Sequence, residues 1–174
     1  MGKLLIFTGD GKGKSTAAFG MAVRFLGHGK KVCIVQFIKS AGFETGELNF
    51  FKKIGVEIIP CGCGLTNRNS AEKNREYLRV AYDTAICKLK GNYNLVVLDE
   101  INNVFNITAF ETEDVCPPDI LLNEILAAAE NKDVVLTGRG APQKYIDAAH
   151  LVTEMKPVKH YYNSNTPAQK GLEY

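Results

Sequence analysis

The sequence predicts an α/β fold in which a mostly parallel sheet carries helices on both faces. Short runs rich in β-branched residues alternate with longer helical stretches along the 174 residues, which is the order expected of such a sheet. The central strand candidates, 95–98 and 134–136, are continuous apolar runs rather than alternating ones, as expected for strands buried on both faces. A chain of this length suits one domain, and we assign residues 1–174 to a single domain.

Each element is predicted from its own local pattern. Six short apolar or β-branched runs are strand candidates: 3–8, 31–37, 56–59, 94–99, 133–138 and 151–154. Four longer stretches with helical spacing or helix boundary residues are helix candidates: 15–27, 71–90, 119–130 and 142–149. Asn69 or Ser70 could cap the longest helix, and Gly27 could end the first. The remaining segments are predicted to be loops or an irregular tail: 38–46, 60–69, 101–118 and 157 onward.

The composition argues against several classes of partner and location. The formal net charge is +2, which is too weak to indicate binding to nucleic acid or to an anionic membrane surface. No apolar run approaches the ~20 residues that span a bilayer, and the N-terminus lacks the pattern of a signal peptide, so we expect a cytoplasmic protein. Five cysteines without a secretion signal indicate reduced thiols, and the Cys61–Cys63 pair lacks the second pair that a zinc site needs.

The strongest functional signal is the glycine-rich run from Thr8 to Thr16, which follows a strand candidate and opens a helix candidate. It matches the phosphate-loop pattern G-x-x-x-x-G-K-[ST] except at the first position, where Thr8 replaces glycine. The glycines let the backbone bend tightly and turn its N–H groups inward, and the following helix adds the positive end of its dipole. We therefore predict an ATP-binding loop made of Gly9, Asp10, Gly11, Lys12, Gly13, Lys14, Ser15 and Thr16.

A second signal is the pair of carboxylates, Asp99 and Glu100, that ends an apolar strand candidate. In open parallel sheets, ligands bind beyond the carboxyl ends of the strands, where the phosphate loop is also expected. With Lys14 on phosphate oxygens and the Ser15 hydroxyl on Mg²⁺, these carboxylates are candidate partners of the same metal site. The alternative is a solvated strand end without a ligand.

A third signal is Gly138-Arg139-Gly140, which follows another buried strand candidate. Flanking glycines allow an arginine to approach an anion closely, although the pattern alone is equally typical of a surface arginine. Because a phosphate grip serves hydrolases, kinases and other transferases alike, these signals leave the reaction open.

Several segments together match one family over nearly the whole chain. The phosphate loop continues as Ala17-Ala18-Phe19-Gly20, and the other matching segments are 35–39, 46–47, 97–100, 137–142, 155–160 and 169–174. In these segments the sequence resembles the ATP:corrinoid adenosyltransferases of the CobA/BtuR type. The resemblance implies a P-loop (RecA-like) three-layer fold with a six-stranded sheet. It also implies transfer of the 5′-deoxyadenosyl group of ATP to Co(I) of a reduced corrinoid, with release of triphosphate, in adenosylcobalamin synthesis or salvage.

The resemblance also implies roles for individual residues. Lys12, Lys14 and Arg139 match groups that are expected to act in catalysis by stabilising the departing triphosphate. Ser15 and Glu100 match the magnesium ligands of the family.

Two residues and two partners complete what the resemblance implies. Arg24, on the helix after the loop, matches an arginine associated with the nucleotide site, and the plainer alternative is a solvated helix arginine. Asp99 is expected to orient the site rather than to bind the metal. Members of the family are dimers, so we expect a homodimer. A reduced corrinoid substrate further implies an electron-donating reductase or flavodoxin-like protein as partner.

The match breaks in the segment that is expected to contact the corrin ring. Members often carry Gly-x-Gly-Phe-Thr-Trp there, and its aromatic side chains help to exclude the lower axial base of the cobalt. This chain has Gly62-Cys63-Gly64-Leu65-Thr66-Asn67 instead. Leu65 can still press on the corrin edge, whereas Asn67 cannot, so we expect weaker discrimination against incomplete corrinoids such as cobinamide. The pattern favours ordinary loop thiols over a cobalt–thiolate contact for Cys61 and Cys63.

Two other functions fit part of the sequence. A phosphotransferase or NTPase that binds ATP in the ordinary orientation would release ADP, whereas the adenosyltransferase releases triphosphate. A non-catalytic corrinoid carrier or sensor would tolerate the changes at Leu65 and Asn67, but the intact Lys14, Ser15 and Glu100 argue against it.

Overall fold

The computed structural model describes residues 1–64, 69–161 and 167–173. Six strands lie in these ranges: β1 Leu4–Thr8, β2 Val32–Ser40, β3 Glu57–Gly62, β4 Leu95–Asp99, β5 Asp133–Thr137 and β6 Leu151–Glu154. Six helices lie in the same ranges: α1 Lys14–Gly27, α2 Gly46–Lys53, α3 Ala71–Lys90, α4 Ile101–Val104, α5 Pro118–Ala129 and α6 Gln143–Ala148.

The six strands form one sheet in the order β3-β2-β4-β5-β1-β6. All five pairings between neighbouring strands are parallel, so the sheet is wholly parallel rather than only mostly so. Strand β5 lies between β1 and β4, with Ile6 and Val97 flanking the β5 residues 135–136. The carboxyl ends of β1, β4 and β5 therefore lie side by side at one edge of the sheet, which is where the candidate site forms.

Helices cover both faces of the sheet, which confirms the predicted three-layer architecture. On one face, α1 and α2 contribute the buried residues Ala18, Ala22, Leu48 and Phe51 to a core against the strands. On the other face, α3 and α5 contribute Leu78, Ala85, Leu121 and Ile125 to a larger core. The continuous apolar runs of β4 and β5 are buried on both faces, as the sequence predicts.

The structure corrects the sequence prediction around residues 38–53. Strand β2 continues to Ser40, beyond its predicted end, and α2 was not predicted. The N–H of Leu48 donates a hydrogen bond to the Thr45 hydroxyl at 3.3 Å, so Thr45 caps this helix. Only Leu48 and Phe51 of α2 are buried, and an eight-residue helix with so short an apolar stripe gives a weak periodic pattern.

A second correction concerns the predicted loop 101–118, because α4 begins directly after β4. Glu100 has φ 64°, a left-handed conformation that turns the chain sharply from the strand into this four-residue helix. The longest helix, α3, has its predicted bounds, and the Ser70 side chain caps it by accepting from the Lys73 N–H at 3.2 Å.

Neither a membrane span nor a disulfide occurs in the part of the chain that the structure describes. No helix there is both long and apolar enough to cross a bilayer. All five cysteines are free thiols. Cys61 is buried on β3, and the Cys63 thiol donates to the Asn74 side-chain oxygen at 3.0 Å.

Candidate functional site

The phosphate loop is fixed against the end of β6 by backbone contacts. The Gly11 N–H donates a hydrogen bond to the Met155 carbonyl at 2.7 Å. Gly9 has φ 93°, and a Cβ added there would lie 2.5 Å from the same carbonyl oxygen, so a side chain at Gly9 is excluded by both conformation and space. Gly13 has φ 114° and caps α1, which directs the positive end of the α1 dipole toward the loop.

Thr8, the residue that departs from the phosphate-loop pattern, links the loop to its neighbours. Its hydroxyl accepts a hydrogen bond from the Ala141 N–H at 3.2 Å, and its carbonyl accepts from the Met155 N–H at 2.8 Å. Thr8 is almost fully buried. A threonine at this position therefore ties the phosphate loop to the segment after β5, a contact that glycine could not make.

A cavity of about 680 Å³ opens at the carboxyl edge of the sheet. Its polar side, which we call the phosphate wall, is formed by residues 12–16, Glu100, Gly138 and Arg139. The structure thus brings together loop residues and two strand-end residues that the sequence singled out separately.

Each cation of the phosphate wall contacts an acceptor from the chain itself. The Lys14 ammonium donates to the Gly11 carbonyl at 2.6 Å, and Lys12 forms a salt bridge with Glu173 at 3.0 Å. The Arg139 guanidinium lies 3.8 Å from the Asp10 carboxylate, and both side chains are largely exposed. Burial, together with repulsion from Arg139, lowers the pKa of Lys14. An anion bound beside Lys14 and Arg139 would offset both effects.

The two strand-end carboxylates differ in their surroundings. Asp99 is fully buried and accepts hydrogen bonds from the Gln36 side-chain amide at 3.1 Å and the Thr137 hydroxyl at 2.8 Å. Glu100 lines the cavity, and its backbone N–H donates to the Thr137 hydroxyl at 2.9 Å. Burial and the adjacent charge of Asp99 raise the pKa of Glu100 to about 7. A cation bound beside Glu100 would offset both effects.

Comparison with known proteins places this arrangement in one family. Residues 1–174 match the family described as ATP:corrinoid adenosyltransferase BtuR/CobO/CobP. The chain belongs to this family.

Relatives along the whole chain agree with this assignment. The chain is 36% identical over 183 residues to the corrinoid adenosyltransferase CobA of Salmonella typhimurium, covering 99% of this chain and 86% of that relative. It is 41% identical over 177 residues to a corrinoid adenosyltransferase of Pseudomonas aeruginosa, covering 99% of this chain and 84% of the relative.

A more distant likeness concerns the fold alone. The crystal structure of the flagellar accessory protein FlaH from Methanocaldococcus jannaschii superposes with a TM-score of 0.55 at 15% identity, covering 87% of this chain and 70% of that chain. This agrees with the predicted P-loop class, in which the adenosyltransferase family also falls.

The residues that are predicted to bind Mg²⁺ supply only part of the ligands that the ion needs. The Ser15 hydroxyl and the Glu100 carboxylate line the same cavity, and both present the hard oxygen ligands that Mg²⁺ prefers. Within the described ranges, no group of three or more histidine, cysteine or acidic side chains could hold a metal by itself. The donor set therefore suits an ion that shares its remaining ligands with phosphate oxygens and water.

Another part of the cavity lining is apolar, and its role was not predicted from the sequence. This aromatic wall consists of Phe19 and Val23 on α1 and of Phe50 and Phe51 on α2. Phe51 packs edge-on against both Phe19, at 5.8 Å, and Phe50, at 5.4 Å between ring centroids. Phe50 and Val23 are each 49% exposed and both line the cavity, so together they offer apolar area to a ligand there.

An ion pair joins the two walls. Lys39, at the end of β2, contacts Glu47 on α2 at 2.5 Å, and both side chains are mostly buried and line the cavity. Burial would lower the pKa of Lys39, but the hydrogen bond to Glu47 and the nearby negative charges of Asp99, Glu47 and Glu100 together outweigh burial and raise that pKa. The segments 35–39 and 46–47 carried the family resemblance, but without α2 the sequence did not reveal that they meet.

Some predicted site residues lie away from the cavity. Gly9, Asp10 and Gly11 shape the loop from behind, and their contacts are with β6 and Arg139. Arg24 is exposed on α1 and is not among the residues that line the cavity, and its association with the nucleotide site stays a prediction. Leu65, predicted to press on the corrin, lies outside the described residues, as does Asn67.

Proposed function

We propose that this chain, acting as a single domain, transfers the 5′-deoxyadenosyl group of ATP to Co(I) of a reduced corrinoid and releases inorganic triphosphate. The observation that carries the proposal is the cavity between the two walls. It combines a cationic phosphate wall with an exposed aromatic wall, and the reaction joins a polyphosphate to a large, partly apolar ring.

The reaction requires alignment and charge stabilisation rather than a protein base. Co(I) is a strong nucleophile, and its electron pair forms the new bond to the 5′ carbon of ATP. The bond from that carbon to the bridging oxygen breaks, its electrons leave with the triphosphate, and cobalt becomes formally Co(III). Lys12, Lys14 and Arg139 are placed to stabilise the negative charge of the leaving group, and the loop N–H groups add to this effect.

Mg²⁺ is proposed to bind through the Ser15 hydroxyl and the Glu100 carboxylate. When bound, the ion supplies positive charge that neutralises the triphosphate. Asp99 keeps the end of β4 in place through its bonds to Gln36 and Thr137, which leaves Glu100 directed toward the cavity. This agrees with the expectation that Asp99 orients the site.

ATP is proposed to lie in the reversed orientation that the family resemblance implies. With the triphosphate on the phosphate wall, the 5′ carbon then faces the open part of the cavity instead of the γ-phosphate. The aromatic wall, with Phe50 half-exposed, offers an apolar surface to the corrinoid on that side.

Several partners follow from the same chemistry. Co(I) has to be formed by reduction of Co(II), so we propose an electron-donating reductase or flavodoxin-like protein as a transient partner. We also propose a homodimer, on the strength of the family resemblance, and a cytoplasmic location. The change at Leu65 and Asn67 supports weaker discrimination between cobalamin and cobinamide, and a clear kinetic preference for cobalamin would contradict it.

The deciding experiment is incubation of the protein with ATP, Mg²⁺ and chemically reduced cobalamin. We expect the Co(I) absorption to be replaced by that of an alkylated corrinoid, with one triphosphate released for each corrinoid converted. Release of ADP instead would identify an ordinary phosphotransferase or NTPase. Corrinoid binding without spectral change, in the presence of competent Co(I), would identify a carrier or sensor.

A further inference from the structure

Three asparagines, two on α4 and one just after it, contact the segment Gly138-Arg139-Gly140. Asn102 and Asn103 lie on α4, and Asn106 follows it by two residues. We call these three side chains the asparagine clamp. Their functional role was not predicted from the sequence, which indicated only a loop at residues 101–118.

The clamp holds both backbone groups of Arg139. The Asn103 side-chain oxygen accepts from the Arg139 N–H at 2.6 Å. The Asn106 side-chain amide donates to the Arg139 carbonyl at 3.2 Å and to the Gly140 carbonyl at 3.0 Å. It also donates to the Asn102 carbonyl at 2.8 Å, and the Asn102 amide donates to the Gly138 carbonyl at 3.3 Å.

The glycines on either side of Arg139 fit closely against this clamp. Gly138 has φ 127°, and a Cβ there would lie 2.9 Å from the backbone nitrogen of Asn103. Gly140 has φ 61°, and a Cβ there would lie 2.7 Å from the Asn106 amide nitrogen. The glycines are thus explained by close approach of the clamp, as well as by the left-handed backbone.

The Arg139 side chain itself is weakly held. It is 68% exposed, and its guanidinium reaches Asp10 only at 3.8 Å, so this ion pair contributes little. The location of Arg139 is therefore determined by its backbone. Because Glu100 directly precedes α4, the clamp also couples the backbone of Arg139 to the turn that carries Glu100.

We propose that Asn103 and Asn106 are positioning residues that hold Arg139 where its guanidinium meets the triphosphate leaving group. This inference rests on the proposed function and adds residues to its mechanism. A misplaced donor loses much of its effect on a transition state, so loosening the clamp should lower turnover even when the fold is unchanged.

The two residues use opposite ends of the asparagine side chain, which gives a matched test. Asn103 acts on Arg139 as an acceptor, and aspartate keeps that function. Asn106 acts only as a donor, and aspartate removes it. Asn103→Asp and Asn106→Asp each add one negative charge, but Asn103 lines the cavity and Asn106 does not. Repulsion of the triphosphate by the added charge would therefore impair Asn103→Asp more, which is opposite to the effect expected from the hydrogen bonds. We expect kcat of Asn106→Asp to fall on the order of tenfold below that of Asn103→Asp. Equal losses in the two variants would overturn the proposal.

A double-mutant cycle separates positioning from a general structural role. Asn106→Ala should lower kcat in the wild-type background but have little further effect in Arg139→Ala, because the side chain to be positioned is then absent. Additive losses would contradict the proposal. Should Asn106→Ala fail to fold by circular dichroism, Asn103→Leu, which removes the acceptor on the cavity side, takes its place in the cycle.

A binding measurement keeps this test apart from the proposed function. Inorganic triphosphate is the probe, titrated by calorimetry into wild type, Asn106→Asp and Arg139→Ala. We expect both variants to bind it several-fold more weakly than wild type, with similar losses. If triphosphate binding shows this pattern while no corrinoid is alkylated, the proposed function fails and the clamp stands. Unchanged triphosphate affinity in Asn106→Asp, with Arg139→Ala impaired, overturns the clamp alone.

Discussion

The phosphate wall and the aromatic wall line one cavity and are built in different ways. The phosphate wall uses consecutive residues of one loop, whose backbone is fixed by β6, together with Glu100 and Arg139 from neighbouring strand ends. The aromatic wall uses side chains from α1 and α2, and two of them, Val23 and Phe50, are half-exposed.

This difference teaches how the two substrates are recognised. A triphosphate needs donors at fixed distances, which a rigid backbone supplies before the ligand arrives. A flat apolar ring is bound through contact area rather than through directed hydrogen bonds. Exposed apolar side chains supply that area. Changes to the phosphate wall should therefore act on ATP and on turnover, and changes to the aromatic wall should act on the corrinoid.

The largest effect is expected for Lys14→Ala. Loss of a half-buried cation that is proposed to meet the leaving group should lower kcat/KM for ATP on the order of 10²–10³-fold. Lys53→Ala, which removes an exposed lysine at the end of α2, is the control and should behave as wild type. Steady-state kinetics with saturating Co(I) corrinoid measure the effect. If Lys14→Ala left both ATP affinity and corrinoid alkylation unchanged, the phosphate wall would not be the triphosphate site.

The next effect concerns Glu100→Gln, which we expect to lower turnover on the order of 10²-fold by weakening Mg²⁺ binding. The same substitution should increase the stability of the ligand-free protein. Because the folded protein raises the pKa of Glu100 from 4.5 to about 7, it holds the proton more tightly than the unfolded chain. The free energy of unfolding therefore falls as the pH rises between these values.

Thermal or urea unfolding without nucleotide checks this sign. Above pH 7, Glu100→Gln should be more stable than wild type by on the order of 1 kcal/mol, since no charge is buried. Below about pH 4.5 the two should converge, because Glu100 is then neutral in both states. ATP with Mg²⁺ should reverse the order at neutral pH by stabilising wild type more. A difference that does not change with pH would show that burial of the Glu100 charge is not its cause.

How far the sequence could predict the molecule also differs between the two walls. The phosphate loop has a local pattern whose conformation its own glycines dictate, and the strand-end residue Glu100 follows from the rule for parallel sheets. The aromatic wall depends on how α1 and α2 pack, and α2 is too short for a clear periodic pattern. Val23 illustrates the difference: it follows the buried Ala22 on α1, yet it is exposed beside the cavity.

The clamp escaped prediction for a related reason. Asparagines in a segment of few regular contacts are typical of loops, and nothing local shows that their amides meet a segment more than thirty residues away. Thr8 is similar, because its mismatch to the phosphate-loop pattern is explained only by Ala141, which is distant in sequence. Contacts of this kind follow from the strand order, which the sequence did not predict.

The aromatic wall is tested by Phe50→Ala. Removing a half-exposed ring should raise KM for the corrinoid by roughly tenfold, while the KM for ATP changes little. Ile54→Ala is a matched control, because Ile54 is also 49% exposed, lies just after the same helix and does not line the cavity. Kinetics with each substrate varied in turn measure both constants. A rise in the KM for ATP alone would assign the aromatic wall to the adenosine instead of the corrinoid.

The smallest effect is expected at Glu173, where the two ends of the chain meet. Its carboxylate pairs with Lys12 at 3.0 Å, and its other oxygen is buried without a hydrogen-bond partner among the described residues. A triphosphate arriving at Lys12 has to compete with this anion, so Glu173→Gln should bind inorganic triphosphate a few-fold more tightly, with the gain shrinking at high salt. Glu76→Gln, an exposed change on α3, makes the same charge change away from the cavity and should have no such effect. Weaker binding by Glu173→Gln would instead mean that Glu173 holds Lys12 in the geometry that binds phosphate, so that Glu173 is part of the phosphate wall and not its competitor.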